Sequence, residues 1–344
     1  MLPLFDGFPV FSPDVSGFLA SLLVGGLALG ALIKARNYFF FLIVLLLFLF
    51  IQDQMRWQPW AYMYFSLLLP FALWKKPKEQ LLPYFQFILI GVYLWSGIYK
   101  FGEGFIQSTF DKMLETLFFI EDAGTRESLH FLGYGIPLIE VALAIGFFFQ
   151  RTRNISVLFA ALSHITILSY LIINEQNSVV YPWNIAMVLL SFLAFFNAKN
   201  SMRFWNNSPI RLKVITAASG LFFLILPALS SVGLWDTYLS FKLYSGTNGY
   251  FCIGLDKDQY KKVDSELYDC FWKVDEPQGK YWIYVNFWAF NELNVAFYPE
   301  MRTYKQVCTT FCESDIPPEK LEFVKFQTAF EREGAVVFDC AGCE

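Results

Sequence analysis

Eight long apolar runs, separated by short polar breaks, occupy the first 235 positions of the chain, near 17–33, 38–52, 58–74, 82–100, 131–150, 155–173, 179–197 and 213–235. A membrane-crossing helix needs about 17–25 mostly apolar residues; the second run falls short of that and the third only just reaches it. The pattern predicts an all-α polytopic membrane bundle of about eight transmembrane helices over 1–235. No Lys or Arg precedes Lys34, so the first run is expected to be a span rather than a cleaved signal peptide. Gly104–Glu121 is more polar, with Phe105, Phe110, Met113, Leu114, Leu117 and Phe118 at helical spacing, and is expected to be an interfacial helix.

After Trp235 the periodicity changes. Tyr281–Trp288 is rich in strand formers, with Tyr250–Gly254 as a partner strand. Tyr298–Glu313 and Pro317–Glu333 read as helices, the latter stopped by Gly334, and Ala335–Phe338 as a short strand. The expectation for 236–344 is a small α+β, cysteine-rich domain outside the membrane.

Composition agrees with this division. The chain of 344 residues is 56% hydrophobic, 20% aromatic and 16% charged, against about 25% charged in soluble domains. That excludes an ordinary soluble enzyme, a disordered chain and a nucleic-acid binder, and the net charge of −4 offers no basic patch. Lys34, Arg36, Lys75, Lys76, Lys78, Arg151, Arg153, Lys199, Arg203, Arg211 and Lys213 all fall in alternate loops, and only Arg56, Lys100, Lys112 and Arg126 in the others. Basic short loops stay cytoplasmic. Both termini are therefore expected on the extracytoplasmic side of an inner (plasma) membrane.

All six cysteines, Cys252, Cys270, Cys308, Cys312, Cys340 and Cys343, lie in the tail, where export permits disulfides. Sequence cannot choose among fifteen pairings. Cys340-Ala-Gly-Cys343 has redox-motif spacing, but no helix follows to lower a thiol pKa. Structural disulfides are expected, with a redox pair or a four-cysteine metal site as the alternatives; no metal site is assigned.

Ionisable groups inside a membrane are costly and mark function by default. Glu140 and His164 are each twelve positions from the turn near Thr152, so an antiparallel helix pair brings them to one depth. A Glu140–His164 contact is expected, either as working chemistry or as a pair that only fixes packing. Lys100 ends the fourth run and reaches Glu140 only if its helix tilts or breaks. Arg56, Tyr181, Trp183 and Asn184 are expected near the outer mouth of the same pocket. Snorkelling cations and an aromatic belt are the plainer readings of these residues. An outward-opening pocket of this kind suits an amphipathic ligand, a quinol or a lipid headgroup.

Ser96-Gly97-Ile98-Tyr99-Lys100-Phe101, Pro137-Leu138-Ile139-Glu140 with Arg151–Arg153 beyond it, His164, and Tyr181-Pro182-Trp183-Asn184 follow in order through Phe85–Phe196. This third of the chain resembles the HTTM domain of vitamin K-dependent gamma-carboxylases, and the broader DoxX/MauE-like group of redox-associated membrane proteins. The resemblance implies a base at Lys100, acting on a hydroquinone, and association with quinone or thiol redox chemistry. Two departures argue against glutamate carboxylation. The turn Asp53–Trp60 holds no histidine, and a short cysteine-rich tail stands where the carboxylases carry a large substrate-binding region.

Two functions from different classes follow. One is an envelope membrane enzyme or redox partner that binds a quinone-like or lipid-like molecule, with Lys100, Glu140 and His164 as proton carriers. The other is a non-catalytic subunit of an envelope secretion, translocation or assembly complex, with the tail as docking module. Transport is the weaker third, for want of an internal repeat. Expected partners are membrane lipid and envelope proteins, with no nucleic acid.

Overall fold

A computed structural model of the chain describes residues 2–5, 8–33, 36–73, 81–198, 206, 208–260, 271–275, 280–326 and 334–343. Lys34, Lys75, Lys76, Lys78, Lys199, Arg203 and Cys270 lie outside the described residues. The chain divides into two compact units, Met1–Tyr170 with Val180–Ser245, and Leu171–Val179 with Gly246–Glu344.

All eight apolar runs are helical. They form α1 (Pro13–Ile33), α2 (Arg36–Gln52), α3 (Pro59–Leu73), α4 (Leu82–Ile98), α7 (Gly135–Phe148), α8 (Arg153–Ile173), α9 (Tyr181–Phe195) and α10 (Ile210–Gly220), with the short helices α5 (Asp111–Leu117) and α6 (Ala123–Leu129) between α4 and α7. α8 runs on past Tyr170, where the second unit takes up the chain as far as Val179. Among the described residues, four helical stretches are long and apolar enough to cross a membrane: Ala123–Phe148, Arg153–Ile173, Ser178–Phe195 and Ile210–Val232. Only 28–39% of their apolar windows is buried. The remainder displays leucine, isoleucine and phenylalanine outward, a surface suited to lipid rather than water.

α4 is the hub, packing on α7, α9, α10 and the turn Leu221–Ile225. Gly91 makes one of these contacts possible, since a Cβ there would lie 2.3 Å from the carbonyl oxygen of Phe223. At the core, Phe147 of α7 stacks on Phe195 of α9 with ring centroids 4.1 Å apart, and Tyr93 of α4 tilts against Phe147 at 5.4 Å. Arg153 turns back over the end of α7, donating from Nε to the carbonyl of Phe147 at 2.9 Å. A cation in that place satisfies carbonyls left open at a helix C-terminus.

The first unit extends ten residues beyond the expected boundary at 235. Tyr238 and Phe241 are buried in it, and the Tyr62 hydroxyl donates to the carbonyl of Tyr238 at 2.9 Å. Glu103–Leu117 is helical as expected and leaves α4 at 86°. Its apolar face, Phe105, Ile106, Phe110 and Leu114, is covered by Ile120, Leu129 and Ile136 of the same unit, while Phe118 and Phe119 stay exposed.

The second unit is built on an antiparallel sheet ordered β2-β3-β1-β4-β5, with β1 (Tyr250–Asp256), β2 (Phe271–Asp275), β3 (Lys280–Tyr284), β4 (Leu321–Phe326) and β5 (Val336–Phe338). Helices α11 (Val285–Leu293) and α12 (Met301–Cys312) belong to the same unit. β1 pairs with β3 as the sequence suggested, Cys252 opposite Tyr284. Two expectations are corrected. The strand from Tyr281 ends at Tyr284, because Val285 and Ala289 are buried at helical spacing and start α11. The helix expected over Pro317–Glu333 is strand β4 over Leu321–Phe326, with residues 327–333 outside the described set. Leu, Glu and Lys there favour a helix locally, but pairing with β1 buries Leu321, Phe323, Val324 and Phe326.

Two disulfides, Cys308–Cys343 and Cys312–Cys340, join α12 to the 3₁₀ turn Cys340–Cys343 with Cα separations of 5.8 and 5.7 Å. Cys340 and Cys343 are thus not bonded to each other. Closing a separation of 35 residues contributes about 4 kcal/mol in the chain-entropy estimate. The disulfide expected at Cys252 is corrected: among the described residues its thiol is free. It lies in the central strand among Trp282, Val324 and Phe326, where burial pushes its thiol up, away from thiolate.

Candidate functional site

Along α4 and the turn after it, Gln86, Tyr93 and Lys100 recur every seven residues, two helical turns apart, with Ser96 one turn before Lys100. That spacing sets one polar stripe on an otherwise apolar helix. Each member has a partner. Gln86 Nε2 donates to the carbonyl of Ala194 at 2.8 Å, which ties α4 to α9. The other residues converge on a cavity inside the first unit.

α4 stops at Ile98 and Lys100 sits on the turn before the chain departs at 86°. Its side chain reaches back along the helix. Nζ donates to Ser96 Oγ at 2.8 Å and to Glu140 Oε1 and Oε2 at 2.6 and 2.7 Å. All three ammonium hydrogens are therefore engaged. Lys100 is 6% exposed and Glu140 5%. Gly97 allows the approach: a Cβ there would lie 2.9 Å from Glu140 Cβ and 3.0 Å from the carbonyl of Pro137. The sequence reading lets Lys100 reach Glu140 only if its helix tilts or breaks, and α4 does end just before Lys100, at Ile98.

The expected Glu140–His164 bond is replaced by this Lys100–Glu140 pair. His164 instead bonds Tyr93 Oη through Nε2 and Asn184 Oδ1 through Nδ1, each at 2.9 Å. Asn184 fixes the direction. Its amide donates to the carbonyl of Val180 at 2.9 Å, so its oxygen is what faces His164 and Nδ1 carries the hydrogen. In the neutral ring Nε2 is then an acceptor, the Tyr93 hydroxyl donates to it, and Ser191 Oγ, 3.0 Å from Tyr93 Oη, donates in turn. The result is a directed chain Ser191–Tyr93–His164–Asn184 in which both imidazole nitrogens are occupied.

Tyr93, Ser96, Lys100, Glu140, His164, Trp183 and Asn184 line a cavity of about 60 Å³, together with Phe241, Leu243 and Tyr244 from the segment after α10. That volume accommodates a few waters. The indole Nε1 of Trp183, a residue of the same lining, is buried without a hydrogen-bond partner, as are those of Trp60, Trp95 and Trp235. Tyr181 opens α9 but is not among the lining residues. Arg56, expected at the mouth, is not there either. Its guanidinium donates to the carbonyl of Leu49 near the end of α2 and to Ser16 Oγ, so it joins helix ends instead.

Sequence reasoning missed Tyr93 and Ser191, and named Ser96 only within a motif, without a role. Their signal was present in the heptad from Gln86 to Lys100 and in the seven-residue step from Asn184 to Ser191. The strap carrying Phe241 and Tyr244 has no such signature. Compared with protein-family models, with curated proteins and with solved structures, the chain matches none of them.

Proposed function

We propose that the chain is a multi-pass protein of an inner (plasma) membrane, crossing it about eight times with both termini outside, and that its bundle is of the HTTM and DoxX/MauE-like kind. On this reading the cavity binds the oxygenated head of a quinone-like or lipid-like molecule and serves redox-linked proton chemistry. The observation that carries it is the Lys100–Glu140 pair, buried at 6% and 5% exposure and lining a cavity rather than filling a packed core. The unpartnered Trp183 N–H supports the same view, since it calls for an acceptor such as a carbonyl oxygen.

The geometry divides the work. The ammonium of Lys100 has no hydrogen to spare, so it serves as the fixed positive charge beside a developing oxyanion. The Glu140 carboxylate keeps lone pairs beyond those facing Lys100 and accepts a hydroxyl proton. His164, held between Tyr93 and Asn184, orients the wall and is a positioning residue. A quinone ring exceeds the present volume. Binding therefore displaces a lining side chain, and the strap of Phe241, Leu243 and Tyr244 is the non-helical part of the wall.

Decylubiquinone, a short-chain benzoquinone, tests this through quenching of tryptophan fluorescence in the purified chain in nanodiscs. Saturable quenching is expected, weakened about tenfold in Lys100→Met, which removes the positive charge beside the ligand oxygen, and in Trp183→Phe, which removes one hydrogen-bond donor. Equal, non-saturable quenching in all three proteins would mean simple partition into lipid and would end the quinone reading.

A further inference from the structure

We propose that the cysteine cluster of the second unit becomes a four-thiolate zinc site when its disulfides are reduced. Cys308 and Cys312 stand one turn apart on α12, and Cys340 and Cys343 bound the 3₁₀ turn packed against that helix. The sulfurs of Cys308, Cys312 and Cys343 all lie within 4.8 Å of one another, and Cys340 is bonded to Cys312. Zinc–thiolate bonds of about 2.3 Å place the sulfurs of a tetrahedral site about 3.8 Å apart. Three of the four sulfurs thus already stand at nearly that spacing, and Cys340, outside that trio, must turn inward once its bond to Cys312 is broken. Its two spacings, three residues between Cys308 and Cys312 and two between Cys340 and Cys343, fall in the range of ligand pairs in structural zinc sites.

Stapling alone does not account for the arrangement. Cross-links constrain a chain most when each closes a long loop of its own. Here both tie the same helical turn to the same 3₁₀ turn. Once Cys308–Cys343 exists, Cys312–Cys340 encloses only the few residues between the paired cysteines. A metal ion, by contrast, requires four donors at one point. Access is graded as well: Cys312 and Cys340 are half-buried, Cys308 and Cys343 buried, so the outer bond meets a reductant first.

Two molecules of a small dithiol reductant supply four electrons and four protons. They cleave both S–S bonds to four thiols and become disulfides themselves. Zinc then displaces the four thiol protons to form four Zn–S bonds, with no further electron transfer.

The test uses the full chain in nanodiscs, reduced under anaerobic conditions, freed of reductant and titrated with Co²⁺ and then Zn²⁺. Expected are one metal per chain, thiolate-to-cobalt charge-transfer absorption with tetrahedral d–d bands, and displacement of cobalt by zinc. Zinc should protect Cys308, Cys312, Cys340 and Cys343 from alkylation. The Cys252→Ser/Cys270→Ser variant should bind as the native chain does, and Cys312→Ser/Cys340→Ser at least about tenfold more weakly. Failure of the reduced native chain to hold more metal than the oxidised chain would overturn the proposal, whether or not the variants fold. So would zinc binding that leaves those four thiols open to alkylation.

Discussion

Glu140→Ala is expected to destabilise the bundle by about 3–5 kcal/mol, because it leaves the Lys100 ammonium buried with only Ser96 for company. Lys100→Ala should cost a comparable amount by stranding the carboxylate. The paired change Lys100→Met/Glu140→Leu should recover much of the loss, since apolar groups of similar volume often replace a buried ion pair at little cost. Reversible unfolding in mixed micelles measures all three, and the cycle isolates the coupling between the two side chains. Single substitutions costing under about 1 kcal/mol each would show a solvated pair, as at a protein surface. The stability effect and the ligand effect separate here. The double variant is expected to be folded and to have lost the charge that decylubiquinone binding requires.

Phe147→Ala should match the first effect in size, about 3–5 kcal/mol, by opening a void in the best-packed part of the first unit. Phe147 is 0% exposed, lies against Phe195 and touches Tyr93, the donor to His164. The void therefore sits directly behind the cavity wall. Leu193, on the same helix as Phe195 but 75% exposed, is the control: Leu193→Ala in micelles should be within about 0.5 kcal/mol of the native chain. If Phe147→Ala costs no more than Leu193→Ala, the aromatic layer is not the core of this unit.

Much of this was legible in the sequence. Length and apolarity placed all eight helical runs, and the rarity of charge within them drew attention to Lys100, Glu140 and His164. With Trp183 and Asn184 these residues do share one cavity. What residue counting could not choose was the pairing. It treats helices as straight rods of equal rise, whereas α4 ends at Ile98 and Gly97 lets α7 approach it closely, so Lys100 rather than His164 takes Glu140. The hydrogen bonds of His164 depend on Tyr93 and Ser191, ordinary residues in apolar helices until their neighbours are known. In the tail, β4 reads locally as a helix and becomes a strand through pairing with a segment about seventy residues earlier, a contact that propensity cannot register. Cys252 shows the same limit. It resembles the other cysteines of the tail in sequence and is set apart from Cys308, Cys312, Cys340 and Cys343 by its place in the middle of a sheet.

The account rests on an amphipathic molecule entering the first unit beside Lys100 and Glu140. Photo-crosslinking with an azidobenzoquinone in native membranes, followed by peptide mapping, tests that most directly. Label on the peptides carrying Tyr93, Trp183 and Tyr244, lost in Lys100→Met, is the expected result. Label confined to outward-facing residues such as Leu158, Leu162 and Leu193, and unchanged by that substitution, would contradict it.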